Sequence, residues 1–154
     1  MEERNHVNGM LVQLFGNIMD WEEKALITDE FSDITNNDMH IIDAIGIDQM
    51  KNMSAIAKQL GVTVGTLTIA INNLLKKGYV ERTRGQRDKR VVYISLSEKG
   101  KKAYRHHEEF HRDMVDRMLS CLDEEETQAI IKGLKALCQF MNEAMKEQEK
   151  KRKS

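Results

Sequence analysis

The sequence of 154 residues predicts a mainly α-helical fold with six helices and one small β-hairpin. Two observations predict it: apolar residues recur at helical spacing over most of the chain, and two β-rich runs flank a turn near its middle. The length, with 40% apolar and 32% charged residues, is typical of a single soluble globular domain. We therefore expect one core rather than several.

The first helix is predicted from Val7 to Ala25, where apolar residues form a wide stripe. The run TDEFSDITNND then breaks the pattern. Within it, Thr35 and Asp38 have the spacing of a capping box, which predicts a second helix to about Ile47. MSAIAKQL fits a short third helix that ends at Gly61.

Thr63 is a suitable N-cap for a fourth helix that runs to Lys77, and Gly78 is its stop. YVERTR and RVVYISL follow as two strands joined by the turn GQRDK. These runs predict the β-hairpin, and the turn places basic residues at its exposed tip.

Two more helices complete the chain. Ser97 is the expected N-cap of a fifth helix to about Ser120, and Asp123 with Glu126 forms a capping box for a sixth helix to about Lys146. The basic tail beyond it is predicted to be disordered.

The order helix, short helix, tight turn, helix, hairpin is that of a winged helix-turn-helix. Ala57 lies four residues before Gly61, where a small side chain lets two helices approach and glycine permits a left-handed turn. The hairpin corresponds to the wing. The sequence therefore favours a DNA-binding lobe.

The net charge of −1 conceals a separation of charge along the chain. Residues 1–60 carry a net −7 and residues 61–75 no charge, whereas residues 76–105 carry +8. Residues 106–149 carry −6 and the tail +4. A basic block of this kind indicates a polyanion partner, and the alternative is a solvated basic loop.

The fourth helix is predicted to turn Val64, Leu67, Ile71 and Leu74 inward. Its opposite face has no charged side chain, and Thr, Asn and methyl groups there suit the base edges of a major groove. The alternative is an ordinary polar helix surface. The predicted DNA-contacting residues on this helix and its cap are Thr63, Gly65, Thr66, Thr68, Ile69, Asn72 and Asn73.

The wing is predicted to contact phosphates or to enter the minor groove. Asp88 and Arg90 are close enough in the turn to pair, which gives Arg90 a structural alternative. The basic residues assigned to the wing are Arg82, Arg84, Arg87, Lys89 and Arg90.

The run DKRVVYISLSEKG resembles the DxR(x)nLTxxG wing signature of MarR-family regulators, with Ser97 in place of the usual Thr. MSAIAKQLGVTVGTLTIAINNLLKKGYVER resembles the helix-turn-helix of that family. The resemblance covers nearly the whole chain. It implies a homodimer on a palindrome of double-stranded DNA, with the two recognition helices in successive major grooves.

This resemblance also implies a division of the single domain, residues 1–154. Residues 35–100 are the winged helix-turn-helix lobe. Residues 1–27 and 101–146 are dimerisation helices, and residues 147–154 are the basic tail.

Two shorter stretches, VTVGTLTIAINNLLKKGY and HHEEFHRDMV, resemble the FabT-like branch of repressors of fatty-acid biosynthesis. That resemblance implies a transcriptional repressor of fatty-acid synthesis genes. It also implies that long-chain acyl-acyl carrier protein is the corepressor.

His107 and His111 lie in the apolar stripe of the fifth helix, where imidazoles need partners. Three interpretations remain open: structural histidines of a dimer core, a ligand pocket against the first helix, or a metal site. No carboxylate and Cys set at zinc spacing completes a metal site in the sequence, so none is predicted. The predicted lining of the pocket is Leu14, Phe15, Ile18, Met19, His107, Phe110, His111 and Met114.

An acyl carrier protein is acidic and would need a basic docking patch. The sequence offers four basic residues near the fifth helix, although Arg105 is equally placed to contact DNA. The candidates are Lys101, Lys102, Arg105 and Arg112.

Other classes of function have less support. No catalytic fingerprint occurs, so an enzyme is not expected. A winged helix that binds protein instead of DNA is the alternative from another class.

Without a signal peptide or an apolar span, a cytoplasmic protein with no membrane contact is expected. Cys121 and Cys138 are expected to be core thiols rather than redox sensors.

Overall fold

The structure of the chain, a computed structural model, describes residues 2–85 and 91–153. These residues form the six predicted helices and a small antiparallel sheet, which confirms the predicted fold class. The helices are α1 (Glu2–Leu26), α2 (Asn36–Ile45), α3 (Met53–Leu60), α4 (Val64–Lys77), α5 (Glu98–Leu119) and α6 (Glu124–Lys153). The strands are β1 (Lys51–Asn52), β2 (Val80–Arg84) and β3 (Val92–Leu96).

The chain forms two compact units. The first runs through His111 and contains α1 to α4, the sheet and most of α5. The second begins at Arg112 and contains the end of α5 and all of α6.

The sheet has the strand order β1-β3-β2, and both pairings are antiparallel. β2 and β3 form the predicted hairpin, with Arg82 opposite Ile94 and Arg84 opposite Val92. β1, which pairs Lys51 with Ile94, was not predicted. Two residues are too few to show the alternation that identifies a strand.

The core of the first unit lies between α2, α3, α4 and the sheet. Leu67, Ile71 and Leu74 are buried as predicted, whereas Val64 is 44% exposed. The prediction for Val64 was wrong because this residue is the first of α4, at the surface end of the helix. The side chains with at most 1% exposure include Leu26, Met39, Ile42, Ile45, Ile56, Leu67, Ile71, Leu74, Tyr79 and Ile94.

α5 begins in close contact with the segment after α4. The Ser97 hydroxyl donates to the Gly78 carbonyl at 2.6 Å and accepts from the Gly100 amide at 3.1 Å. Gly100 lies against the backbone, because a Cβ there would stand 2.0 Å from the carbonyl oxygen of Tyr79. Only glycine fits this contact without displacing the chain.

The buried Tyr79 anchors the loop before α2. Its hydroxyl donates to Asp33 at 2.6 Å, and the Lys99 ammonium lies 4.0 Å from the centre of its ring. Burial and the Asp33 carboxylate raise the pKa of Tyr79, so the phenol stays protonated. The same hydrogen bond, with Lys99 nearby, lowers the pKa of Asp33.

Three helix ends differ from the prediction. α1 begins at Glu2 rather than Val7, and the acids Glu2 and Glu3 stabilise its first turn. α2 ends at Ile45 because Gly46 adopts a φ of 79°. The prediction of a disordered tail was wrong, since α6 continues to Lys153. The spacing of Glu147 and Lys151 is one that stabilises a helix.

Both cysteines are exposed, so the prediction of core thiols was wrong for this chain. Cys121 lies in the turn after α5, and Cys138 lies on α6, most of which is exposed. Helical periodicity in the sequence does not distinguish a face covered by the same chain from one left open.

Among the described helices, none is by itself both long and apolar enough to cross a membrane. α3 and α4 meet that criterion only when taken together, across a bend of 107°. Their apolar residues Ile56, Leu67 and Ile71 are buried in the core of the first unit.

Candidate nucleic-acid interface

The turn between α3 and α4 sets the geometry of the candidate interface. Gly61 adopts the left-handed conformation with a φ of 68°, and the Val62 amide donates to the Ala57 carbonyl at 3.0 Å. The two helices consequently meet at 107°, within the usual range for a helix-turn-helix. This geometry leaves the N-terminal half of α4 at the surface.

Thr63 begins α4, as predicted, with its hydroxyl accepting from the Thr66 amide at 3.1 Å. The Thr63 and Thr66 hydroxyls are also 2.9 Å apart, and the Thr68 hydroxyl donates to the Val64 carbonyl at 2.7 Å. The donor capacity of Thr68 is therefore used inside the helix. Its oxygen and methyl group remain at the surface.

The predicted outer face of α4 is solvent-exposed and carries no charge. Ile69 has 69% of its surface exposed, although it is a large apolar residue. Its methyl groups are therefore accessible to a partner of this face. The structure exposes every α4 residue assigned to DNA, namely Gly65, Thr66, Thr68, Ile69, Asn72 and Asn73, together with the cap Thr63.

The wing and α4 are joined by a hydrogen bond that the sequence did not reveal. The Arg82 guanidinium donates to the Asn72 side-chain carbonyl at 3.0 Å, so this contact uses the acceptor of the Asn72 side chain and not its two N–H donors. Arg84 is exposed two residues further along β2. Neighbouring elements thus present a neutral hydrogen-bonding face and two cations side by side.

The rest of the predicted wing lies outside the described residues. This applies to Arg87, Lys89 and Arg90, and also to Asp88. At the base of the hairpin, the Gly85 amide donates to the Val91 carbonyl at 2.9 Å. The assignment of Arg87, Lys89 and Arg90 to DNA stays a prediction.

A second candidate site is a buried polar cluster in the first unit. His107 is 1% exposed, and Glu22 on α1 is 3% exposed. His107 Nε2 lies 2.7 Å from Glu22 Oε1, and His107 Nδ1 lies 2.7 Å from Asp43 Oδ2 on α2. His111 Nε2 lies 2.9 Å from His107 Nε2 and 3.3 Å from Glu22 Oε1.

Two carboxylates determine the protonation of His107. Burial lowers its pKa, but the hydrogen bonds and charges of Asp43 and Glu22 prevail and raise it. The sequence identified His107 and His111, but not their acidic partners. Glu22 and Asp43 lie 85 and 64 positions before His107, and no local spacing signals a contact over such separations.

Three of the eight residues predicted to line a ligand pocket lie on an open surface of this chain. Leu14, Phe15 and Met19 are 44%, 64% and 52% exposed. Phe110 on α5 contacts Trp21 edge to face, with ring centres 5.5 Å apart. Ile18 is half-buried, and Met114 is buried in the second unit.

An open apolar groove of about 460 Å³ runs along α1. Of the predicted pocket residues it includes only Leu14. Its lining is Val7, Met10, Leu11, Gln13, Leu14 and Asn17.

The model of a family of transcriptional regulators, SarA/Rot, matches residues 24–106, more than half of the chain. FabT of Streptococcus pneumoniae, solved in complex with DNA, is 39% identical, with 91% of this chain and 98% of that chain covered and a TM-score of 0.87. A MarR family transcription regulator shares the fold, with a TM-score of 0.78, 15% identity and coverage of 95% and 97%.

The HTH-type transcriptional regulator YfiV of Bacillus subtilis is 34% identical over 95 residues. That match covers 62% of this chain and 59% of YfiV, so the chain spans less than two thirds of this relative.

Proposed function

The chain belongs to the SarA/Rot family of transcriptional regulators, and we propose that it represses genes of fatty-acid biosynthesis under the control of long-chain acyl-acyl carrier protein. The observation that carries this proposal is the exposed, uncharged face of α4 beside Arg82 and Arg84, in a chain 39% identical to FabT. The VTVGTLT and HHEEFHRDMV stretches, which resemble the FabT-like branch, support the choice of genes.

The two parts of the interface would have different tasks. Asn72 and its neighbours on α4 would read base edges in the major groove, because an amide can donate to and accept from bases. Arg84, like the wing residues beyond it, would neutralise phosphates regardless of sequence. Arg82 would position Asn72 through their 3.0 Å hydrogen bond.

Substitutions of Asn72 and Arg84 test this division. We expect Asn72→Ala to lower discrimination between a cognate duplex and a single-base variant by about 1–3 kcal/mol. Arg84→Ala should weaken binding to all duplexes and reduce the salt slope by about one. Fluorescence anisotropy over a salt series measures both effects, with Lys132→Ala on α6 as a control for the loss of a cation.

Equal effects of Asn72→Ala on cognate and variant duplexes would contradict base contact by α4. Binding by Arg84→Ala that matches the parent at every salt concentration would remove the wing from the interface.

Repression would require a homodimer, and exposed apolar surfaces support it. α1 exposes Val7, Met10 and Phe15, and α6 exposes Leu134 and Phe140, each by 50% or more. Monomeric proteins rarely expose contiguous apolar surface of this kind. Two chains joined through such faces would hold their α4 helices for successive major grooves of a palindrome.

The acyl group would act by shifting the population of dimers between different spacings of the two DNA-binding lobes. An apolar chain lying along the exposed face of α1 would alter the spacing of the two DNA-binding lobes. DNA affinity would change only as far as the ligand prefers one spacing. The acidic carrier would contact the exposed Arg105, because Lys101 and Lys102 already pair with Glu98 and Glu30.

A further inference from the structure

Three donor atoms converge at the buried end of the histidine cluster. Glu22 Oε1, His107 Nε2 and His111 Nε2 are separated by 2.7, 2.9 and 3.3 Å. The residues come from α1 and from two successive turns of α5. Glu22 and His107 have side chains only 4% and 2% exposed, whereas His111 is 43% exposed and opens the site to solvent.

Hydrogen bonds among these three atoms cannot satisfy all of them at once. His107 Nδ1 is already committed to Asp43 at 2.7 Å. If Nε2 also carries a proton, that single N–H faces two acceptors, Glu22 and His111, and can point directly at only one of them. If Nε2 carries no proton, the single N–H that His111 Nε2 can supply faces both Glu22 and His107 and can point directly at only one of them.

We propose that Glu22, His107 and His111 bind a zinc ion. A tetrahedral ion with bonds of about 2.0–2.2 Å separates its ligand atoms by roughly 3.3 Å, so the closest pair, Glu22 and His107, needs to open by about 0.6 Å, whereas Glu22 and His111 already have this separation. Two imidazoles and one carboxylate suit zinc rather than calcium or magnesium, which prefer oxygen. The sequence left a metal site open at the two histidines but did not complete it, because the third ligand comes from a distant helix.

Asp43 has the position of an outer-sphere partner. A histidine that binds metal through one nitrogen commonly donates its other N–H to a carboxylate, which fixes the tautomer and ring orientation. The 2.7 Å contact between His107 Nδ1 and Asp43 Oδ2 provides this arrangement. Asp43 is thus a positioning residue, and a bound ion would join α1, α2 and α5.

Zinc affinity of the full chain tests the proposal, by competition with a chromophoric chelator. We expect one zinc per chain. His111→Gln is the main variant because this side chain is partly exposed, and circular dichroism verifies its fold. It should lose more affinity than the 10–100-fold expected for Asp43→Asn. His106→Gln, a neighbouring imidazole of α5 that bonds to the Ala25 carbonyl, is the matched control and should bind like the parent.

Cobalt substitution adds a spectroscopic readout, since a tetrahedral site gives intense visible absorption that His111→Gln should abolish. Zinc binding that survives His111→Gln, or that falls equally in His106→Gln, would overturn the assignment. The test is independent of the proposed regulation, because none of its readouts involves DNA or an acyl carrier.

Discussion

The lobe built from α2, α3, α4 and the sheet differs from the helices α1 and α6 in how its apolar side chains are covered. In the lobe, large apolar side chains such as Ile42, Ile71 and Ile94 are fully buried within the chain. On α1 and α6, Phe15 and Phe140 are each 64% exposed. The lobe therefore has a core of its own, whereas the two helices carry apolar surface that a single chain leaves uncovered.

This difference shows where each kind of substitution should act. Changes within the lobe should alter the free energy of unfolding of the chain. Changes on the exposed faces of α1 and α6 should alter association, with little effect on the lobe itself. Three substitutions test this separation.

The largest expected effect is that of Gly100→Ala, in the first turn of α5, where it packs against the lobe. The new Cβ would stand 2.0 Å from the Tyr79 carbonyl oxygen, which is backbone and cannot rotate away. We expect a loss of about 3 kcal/mol in the free energy of unfolding, at the upper end for overpacking. Urea denaturation measures it.

Gly133→Ala on α6 is the matched control, because a Cβ there meets nothing within 4 Å. It should stabilise by about 0.5–1 kcal/mol through helix propensity. Similar denaturation midpoints for the two variants would show that the close approach at Gly100 is not as described.

Phe140→Asp should have the next largest effect, on association rather than on folding. A charge in place of an apolar residue at an interface should weaken the dimer by about 2 kcal/mol or more. Sedimentation velocity over a dilution series measures the shift toward monomer. Ile69→Asp, which alters an equally exposed apolar residue on α4, should leave association unchanged. A dimer indifferent to Phe140→Asp would exclude this face of α6 from the interface.

The smallest effect concerns pH and Asp33. Its pKa is lowered in the folded chain by the Tyr79 hydroxyl and by Lys99. The resulting stability is present above the unfolded pKa of about 3.9 and is lost as pH falls through the lower folded value. Asp33→Asn should therefore remove part of the acid sensitivity below about pH 4. Thermal melts between pH 2 and 7 measure it, and an unchanged acid limb would contradict the role of this contact.

Local rules predicted much of the lobe. Thr35 with Asp38, Thr63, Gly61 and Gly78 mark helix ends through backbone hydrogen bonds within a few residues, and the structure has these caps in place. Helical periodicity placed Leu67, Ile71 and Leu74 in the core for the same reason. Such features depend on neighbours in the sequence, so one sequence suffices to find them.

Features made by distant contacts were missed. The Arg82–Asn72 hydrogen bond, the carboxylates around His107 and the two-residue strand β1 each join segments that no periodicity relates. Cys138 was assigned to the core because an apolar stripe does not reveal whether the same chain covers it. The sequence thus identified His107 and His111 but not the acids that decide their chemistry.

We propose that this regulator binds a fatty-acid synthesis promoter and responds to acylated carrier. Its most direct test is fluorescence anisotropy of the full chain on a duplex from such a promoter of its own genome, with and without long-chain acyl-acyl carrier protein. We expect a salt-sensitive complex that tightens with the acylated carrier and not with the unacylated one. A complex of the same affinity with either carrier, or with none, would contradict control by an acyl group.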